Sequence, residues 1–314
     1  MTDVSNLVAE YLSHNSRMSI QEIAKKIRKP RHLVAYYKRK LLHDKIIIHS
    51  ELLINYEALG YQEYIIYLKI FQYQNIKKNI LDSIINHPNV KWCSELFPRF
   101  NLRIVILARN IKEFQDILDN IEKVCGKNLV KKEILITREI LKEETFTTIK
   151  RKEVKPSELL SLSQEDKNLI KELFKEPDES LLNLSQKTEL SIEGVRKKIK
   201  KFQETGLIKG FSAKFDLTKI NKHFWCVLSI NVNNLATKIK KIQEIIYSEV
   251  SYGKTRTTIG PWNLEITIYA QSYHHLIKII KYLENILEQD IENYELYTYT
   301  EKILNTRIPK TIIS

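Results

Sequence analysis

The stretch "SIEGVRKKIKKFQETGLIKG" at Ser191–Gly210 decides the fold predicted for this chain. Ser191 is a preferred helix cap, because its hydroxyl can accept a hydrogen bond from an otherwise unpaired backbone N–H. Val195, Ile199 and Phe202 then recur at the spacing of one buried helix face. A glycine lies just past that face, where helices commonly end, and a short apolar segment follows. The stretch therefore predicts a helix with an outward basic face, followed by a strand.

The residues on either side of this helix complete a small domain. "SQED" at Ser163–Asp166 has the pattern of a capping box and predicts the start of a first helix. "LLNLSQKTEL" at residues 181–190 predicts a short second helix. "LIKGFSAKFDL" at residues 207–217 predicts a two-stranded wing. Three helices and a wing form a winged helix-turn-helix.

A different pattern follows this domain. "HFWCVLSINVN" at residues 223–233 predicts a strand, and "IENYELYTYTEK" at residues 291–302 predicts the last strand of the chain. Two amphipathic helical segments and two further strands lie between them. The order βαββαβ is ferredoxin-like.

The chain also resembles itself. "FNLRIVILA" at Phe100–Ala108 matches "WNLEITIYA" at Trp262–Ala270, about half a chain away. The first half shows the same order of helical and strand patterns, so we predict a tandem duplication. The predicted fold class is α+β, with two winged helix-turn-helix domains alternating with two ferredoxin-like βαββαβ domains. The predicted boundaries are 1–58 and 163–217 for the helical domains, 59–140 and 218–305 for the βαββαβ domains, and 141–162 for a linker.

Composition limits the function classes. The 314 residues contain 51 Lys and Arg against 38 Asp and Glu, a formal net charge of +13. Such a charge suits nucleic acid or an anionic membrane surface, although a lysine-rich composition alone can also produce it. The seven glycines form no phosphate-binding loop, which argues against a nucleotide-dependent enzyme.

The cysteines and histidines indicate no cofactor or metal. Cys93, Cys125 and Cys226 form no CxxC pair, which fits a reducing compartment. His274 and His275 are adjacent on a predicted helix, where neighbouring side chains do not face each other. The sequence has no signal-peptide pattern and no apolar run long enough to span a bilayer. We therefore expect a cytoplasmic protein that does not contact a membrane.

The ordered motifs resemble the Lrp/AsnC (feast/famine) family of transcriptional regulators. The residues that carry the resemblance are Ser191, Val195, Lys198, Ile199, Phe202, Gly206 and Ile208, together with "GPWNL" at Gly260–Leu264. The chain departs from the family pattern in several places. In both copies the Asp of the family's turn is replaced by Asn, at Asn101 and Asn263. In the first copy, Lys38 and Lys45 occupy the positions of Ile199 and Gly206. A single chain with two such units is also unlike the usual family member.

The resemblance implies a sequence-specific DNA-binding regulator that responds to a small-molecule effector such as an amino acid, and not an enzyme. A helix of this kind fits the major groove of double-stranded DNA. The predicted DNA-binding residues are Arg196, Lys197, Lys198, Lys200 and Lys201 in the second copy, and Arg31, His32, Tyr36, Arg39 and Lys40 in the first. The alternative interpretation is that both are solvated basic helix faces.

The βαββαβ domains need a partner surface. "YIIYLKIF" at Tyr64–Phe71 is apolar on both sides, so both faces of its sheet should be covered. The partner is either the other half of the chain, giving an intramolecular pseudo-dimer, or a second chain in a homo-oligomer. By resemblance, an effector would lie between paired domains, with Asn101, Asn263, Trp262 and Arg99 as the predicted contacts. These asparagines are equally explained as turn residues.

Two alternatives stay open beside the regulator. Siroheme decarboxylases are similar to this family in plan, pair as two unlike subunits, and carry an aromatic-Asn-Leu turn. They resemble one another in having His and Arg before that turn, suited to protonation and carboxylate binding. Here Arg256 and Arg99 are present, but Tyr252 and Trp92 stand without a nearby His. The other alternative is an architectural protein that binds DNA without sequence preference.

Overall fold

The two halves of the chain contain the same order of elements. The computed structural model describes residues 3–143, 145–151, 154, 158–304, 308 and 312. In the first half the elements are α1 (Asp3–His14), α2 (Ile20–Ile27), α3 (Arg31–His43), β1 (Ile47–Ile54), β2 (Gln62–Ile70), α4 (Tyr73–Asn86), β3 (Val90–Phe97), β4 (Leu102–Ala108), α5 (Ile111–Cys125) and β5 (Leu129–Lys142). In the second half they are α6 (Gln164–Lys175), α7 (Leu181–Thr188), α8 (Ile192–Glu204), β6 (Ile208–Phe215), β7 (Phe224–Val232), α9 (Leu235–Ile246), β8 (Tyr252–Ile259), β9 (Leu264–Ala270), α10 (Tyr273–Leu287) and β10 (Ile291–Leu304). The predicted α+β class is confirmed.

Some predicted segments fall partly outside this description. Strand β5 extends two residues into the predicted linker 141–162, and several other residues of that linker lie outside the described part of the chain. The end of the last predicted domain, at residue 305, also lies outside it. Among the described helices, none combines the length and apolar character needed to cross a membrane.

Local sequence signals set the helix starts. Ser163 caps α6, and the side chain of Asp166 bonds back to the cap in a full capping box, as predicted. Ser19 and Glu22 form the same arrangement at α2. The Oγ of Ser191 accepts a hydrogen bond from the next turn of α8. These starts could be predicted because each depends on residues within one helical turn.

The predicted two-stranded wing at residues 207–217 is wrong. The segment forms one strand, β6, which pairs antiparallel with β1 of the other half, with Ser50 opposite Ala213. Ala213 and Phe215 of β6 pack into the core formed by α1, α2 and α3. Because β6 makes its ladder hydrogen bonds with β1, it needs no return strand of its own. The exchange makes the two helical domains one structural unit.

The two βαββαβ sheets close into a barrel within one chain. The strand order is β10-β3-β4-β2-β5-β8-β9-β7, and β7 pairs again with β10. The two sheets join where β5 pairs with β8 and where β10 pairs with β3. Helices α4 and α5 pack on the outside of one sheet, and α9 and α10 on the outside of the other. Pairing within the chain therefore supplies the partner surface that the apolar β2 requires.

Inside the barrel, an ionic group links the two halves. The Nη2 of Arg103 on β4 lies 2.7 Å from Oε2 of Glu265 on β9, and both side chains are buried. The hydroxyl of Tyr67 on β2 donates to Glu265 and accepts from Nε of Arg103 at 2.9 Å. Burial alone would raise the pKa of Glu265, but the Arg103 and Arg256 guanidinium groups hold that pKa below its ordinary value.

Gly260 offers a sharp test of the contact between the halves. Its φ is +144°, and a Cβ there would lie 2.5 Å from the carbonyl oxygen of Ile134 on β5. We expect Gly260→Ala to lower the free energy of unfolding by about 1–3 kcal/mol, because the backbone of β5 must move. Urea denaturation measures the loss. The control is Gly126→Ala, where φ is also positive but no atom lies within 4 Å of the added Cβ. If both variants lost the same free energy of unfolding, the close contact between Gly260 and Ile134 would be contradicted.

Candidate functional site

The predicted basic face of α8 is exposed. The side chains of Arg196 and Lys200 are 60% and 74% exposed, and each pairs with a glutamate of its own helix. Lys197 and Lys201 are exposed as well. Lys198 differs, because its Nζ lies 2.7 Å from Oδ1 of Asp166 on α6 and its side chain is only 24% exposed. Four of the five predicted α8 residues are therefore open to a partner, and Lys198 instead ties α8 to α6.

The first-copy residues lie on the corresponding helix, α3. The five predicted residues Arg31, His32, Tyr36, Arg39 and Lys40 are all exposed. Lys45 has a φ of +52°, in the left-handed region that Gly206 occupies in the second copy. The backbone geometry at the end of the helix is therefore kept although the glycine is not. A DNA-binding role for these residues stays a prediction.

The two turn asparagines hold backbone together. Oδ1 of Asn101 accepts from the N–H of Ile70 at 2.6 Å. Asn263 both accepts from and donates to the backbone of Val232, at 2.9 Å each. Each asparagine thus ties its turn to the end of a neighbouring strand, an explanation that applies to both copies.

The other two predicted effector contacts meet at one carboxylate. Nη2 of Arg99 lies 3.0 Å from Oε1 of Glu133, and Nε1 of Trp262 donates to Oε2 of the same residue at 3.3 Å. Arg99 also pairs with Glu295. Trp262 is buried in the aromatic core of the barrel, beside Phe100. An effector at this place would have to compete with these contacts, and the effector role stays a prediction.

The sequence did not point to the cavity where the barrel meets the helical domains. This junction cavity has a volume of about 810 Å³ and is bordered by the end of β5, the segment after it, and the start of β6. Its wall carries cationic side chains from three parts of the chain, namely Arg138, Lys142, Arg151 and Lys209. The aromatic ring of Tyr247, at the end of α9, completes one side. The cavity is therefore large, partly aromatic and rich in positive charge.

Arg138 and Arg151 form no ion pair with a carboxylate in the described part of the chain, although Glu143 interacts electrostatically with Arg151. Arg138 is exposed on β5 and makes no ion pair there. Arg151 donates to three backbone carbonyl groups, including that of Ser13 at 3.0 Å, and its burial lowers its pKa. Nζ of Lys142 donates to the carbonyl of Ile246 at 2.6 Å. Backbone carbonyl dipoles compensate only part of a buried positive charge. An anionic ligand would supply the remaining negative charge.

The wall also contains acidic groups. Burial raises the pKa of Glu57, so that this carboxyl group holds its proton more readily than usual. Glu143 lies 3.1 Å from Nζ of Lys209. Although burial opposes ionisation, Lys209, Lys254 and Lys91 lower the pKa of Glu143 to about 2. Glu143 is thus a fixed negative charge in the cavity wall.

A buried charge cluster extends from Glu143 into the barrel. Glu63 on β2 is bound by three cations: Lys91 at 2.8 Å, Lys254 at 3.5 Å, and Arg256. These three hold the pKa of Glu63 well below its ordinary value against the effect of burial. Burial, together with the neighbouring cations Arg256 and Lys91, lowers the pKa of Lys254 to about 7, although Glu63 and Glu143 oppose the shift. Lys254 is therefore a buried amine that can gain or lose a proton near neutrality.

The comparisons with known proteins concern the fold. The sequence matches no family model and no curated protein. The crystal structure of the siroheme decarboxylase NirDL matches 98% of this chain and 94% of its own, with a TM-score of 0.65 and 14% sequence identity. The same enzyme in complex with an iron-uroporphyrin III analogue matches 98% of this chain and 94% of its own, with a TM-score of 0.63. AsnC from E. coli covers 48% of this chain at a TM-score of 0.40, which is too low to support an argument.

These matches correct one expectation from the sequence. The prediction that the protein is not an enzyme is wrong, because the arrangement found over the whole chain is that of an enzyme. The NirDL fold extends over 98% of this chain and therefore includes both halves.

Proposed function

We propose that the protein is an enzyme that decarboxylates a tetrapyrrole of the siroheme class, bound in the junction cavity. The observation that carries the proposal is the correspondence of the entire chain, both halves included, with the fold of siroheme decarboxylase NirDL. That enzyme also forms a complex with an iron-uroporphyrin III analogue, a large polycarboxylate. The identity of 14% carries over the fold, so the substrate must be argued from this chain's own residues.

The junction cavity suits a large polycarboxylate. Its volume of about 810 Å³ lies in the upper part of the range for small-molecule sites, about 300–1,000 Å³. Arg138 and Arg151 offer guanidinium groups, which bind carboxylates through two parallel hydrogen bonds. Tyr247 and Ile149 provide flat or apolar surface for the macrocycle.

The reaction requires a proton donor. When an acetate side chain loses carbon dioxide, the carbon–carbon bond breaks and its electron pair remains on the methylene carbon. That carbon must take up one proton to become a methyl group. An efficient donor has a pKa near the working pH. Lys254 has such a pKa, about 7, and lies 3.5 Å from Glu63 in the buried cluster. It does not line the junction cavity, but it interacts electrostatically with Glu143 of the cavity wall.

Lys254 also lies in the expected part of the sequence. Siroheme decarboxylases resemble one another in having His and Arg just before their aromatic-Asn-Leu turn. In this chain Lys254 stands on β8, two residues before Arg256, and Arg256 is bound to Glu63. We therefore assign proton donation to Lys254, while Arg256 and Glu63 position it and set its pKa.

The first test is turnover of siroheme. We expect the purified protein to convert siroheme, under anaerobic conditions, into products lighter by carbon dioxide, as measured by mass spectrometry. Arg138→Met should weaken siroheme binding about tenfold, since it removes a charge-assisted hydrogen bond. Absorbance titration measures the binding. The control is Arg39→Met, which removes an exposed arginine of α3 outside the cavity. An unchanged siroheme mass together with no absorbance change on titration would refute the proposal.

The second test concerns the pKa of Lys254. A folded-state pKa below that of the unfolded chain means that the unfolded state binds more protons between pH 7 and pH 9. The free energy of unfolding should then rise with pH, by at most about 1.4 kcal/mol per pH unit from this group. Lys254→Met should lose that contribution and should also abolish turnover. Urea denaturation at several pH values measures the slope.

A matched control separates this effect from other titrations. Lys240→Met replaces an exposed lysine of α9 and should keep the slope of the unmodified protein. Parallel stability curves for the unmodified protein and Lys254→Met would show that Lys254 keeps an ordinary pKa, and would remove it as the proton donor.

Duplex DNA binding is a second candidate function. It is favoured by one observation, the exposed basic face of α8 that includes Arg196 and Lys200. We expect Arg196→Glu combined with Lys200→Glu to weaken DNA binding at least tenfold and to reduce its salt dependence, since phosphate contacts are lost. Selection on a random duplex pool at two salt concentrations measures specificity and affinity together. The control is Lys240→Glu on α9. Equal binding by both variants would contradict a DNA-binding α8, and binding without sequence preference would favour the architectural interpretation.

A further inference from the structure

A second cavity lies where the first helical domain meets the second sheet. Its volume is about 340 Å³, and it is lined by residues of α1, by Phe146, by the turn between β6 and β7, and by the ends of β8 and β9. The residues around it differ from those of the junction cavity. We call it the Lys222 cavity, because Lys222 is its one deeply buried charged residue among those described.

Lys222 is a buried cation without an acidic partner in the described structure. The residue is 6% exposed, and its Nζ donates to Oγ of Ser251 at 2.8 Å. No carboxylate of the described residues lies within ion-pair distance. Burial lowers the pKa of Lys222, and the more distant Glu249 offsets only part of that effect. A buried charge without a counter-ion is costly, and a bound anion would remove the cost.

The one acidic residue in the cavity wall has other partners. Oε1 of Glu10 on α1 accepts from the backbone N–H of Thr148 at 2.7 Å and also from the Thr148 hydroxyl. The hydroxyl of Thr147 lies 3.5 Å from the same oxygen. Glu10 therefore fixes the segment after β5 against α1, and it does not neutralise Lys222.

The rest of the wall combines a second, exposed cation, Lys219, with amide groups and apolar surface. Nζ of Lys219 donates to the carbonyl of Asp44 at 2.7 Å. Asn6, Asn221 and Gln271 offer side-chain N–H donors. Phe146 and Ile220 offer apolar contact. A cation with neighbouring donors suits a carboxylate group, and the apolar part of the wall suits a short hydrocarbon tail. The cavity is at the small end of the ligand-site range, about 300–1,000 Å³, which limits the ligand to a few carbon atoms.

We propose that the Lys222 cavity binds a small organic carboxylate, with the carboxylate group on Lys222 and the apolar tail against Phe146 and Ile220. This site is independent of the proposed decarboxylase function. Its ligand would touch α1 of the first half and the ends of β8 and β9 in the second half. Binding would therefore stabilise the contact between the helical domains and the barrel.

The probe for the test is isovalerate, a small carboxylate with a branched apolar tail, titrated into the full chain by calorimetry. We expect saturable binding that becomes at least about tenfold weaker in Lys222→Met, because a charge-assisted hydrogen bond is lost. Lys222→Met should still fold, since it removes a buried charge that has no counter-ion. Lys240→Met, the same substitution at an exposed site on α9, should bind as the unmodified protein does.

A variant that narrows the cavity and a ligand of opposite charge test the same site. Gln271→Phe narrows the cavity from an exposed position and should also weaken isovalerate binding at least about tenfold. Isobutylamine, which has a similar tail and the opposite charge, should not bind. Absence of saturable isovalerate binding, or equal affinity in Lys222→Met, would overturn the proposal. Tighter binding of inorganic phosphate, or of valine in a manner that depends on Glu10, would overturn the assignment of the ligand as a simple carboxylate.

Discussion

The pairing of two sheets within one chain is the constraint on which the rest of the structure depends. Arg103 and Glu265 form a buried ion pair across that interface, and Tyr67 bonds to both. Such a pair contributes little net stability, because its desolvation cost is large. It does penalise every alternative register, since a shifted sheet would leave one of the charges buried and unpaired. The pair thus specifies how the halves fit together, while the aromatic core around Trp262 and Tyr297 supplies apolar burial.

Barrel closure also places the candidate site. Since β5 pairs with both β2 and β8, its last residues emerge beside the helical domains, where the exchange of β1 and β6 has joined those domains into one unit. The junction cavity is the space left between the two assemblies. Its wall takes Arg138 from the barrel, Lys209 from the exchanged strand, and Arg151 from the segment that connects the halves. A site of this kind exists only when all three parts are folded together.

The sequence predicted local features well and nonlocal ones poorly. Helix starts at Ser163 and Ser191 follow from hydrogen bonds within one turn, so a short pattern suffices. The prediction of a two-stranded wing was wrong because β6 pairs with β1 of the other half. No local sequence pattern identifies that distant partner strand. A signal for the buried charges was present, since Arg103 and Glu265 interrupt otherwise apolar strands. Only the three-dimensional pairing shows that these two charges meet, and that Lys254 is surrounded by other cations.

The two halves of the chain differ in sequence, so a site can exist once where identical subunits would form it twice. Strands of equal length occupy corresponding places in the two halves, namely β3 and β8, β5 and β10, and β1 and β6. Lys254 holds the same position in β8 as Trp92 in β3, and Lys142 the same position in β5 as Leu304 in β10. Lys254 and Lys142 are thus replaced by an aromatic and an apolar residue in the other half. A symmetric pair would double the buried positive charge around Glu63 and raise its desolvation cost. The asymmetry confines that cost to one place, the cluster around Glu63.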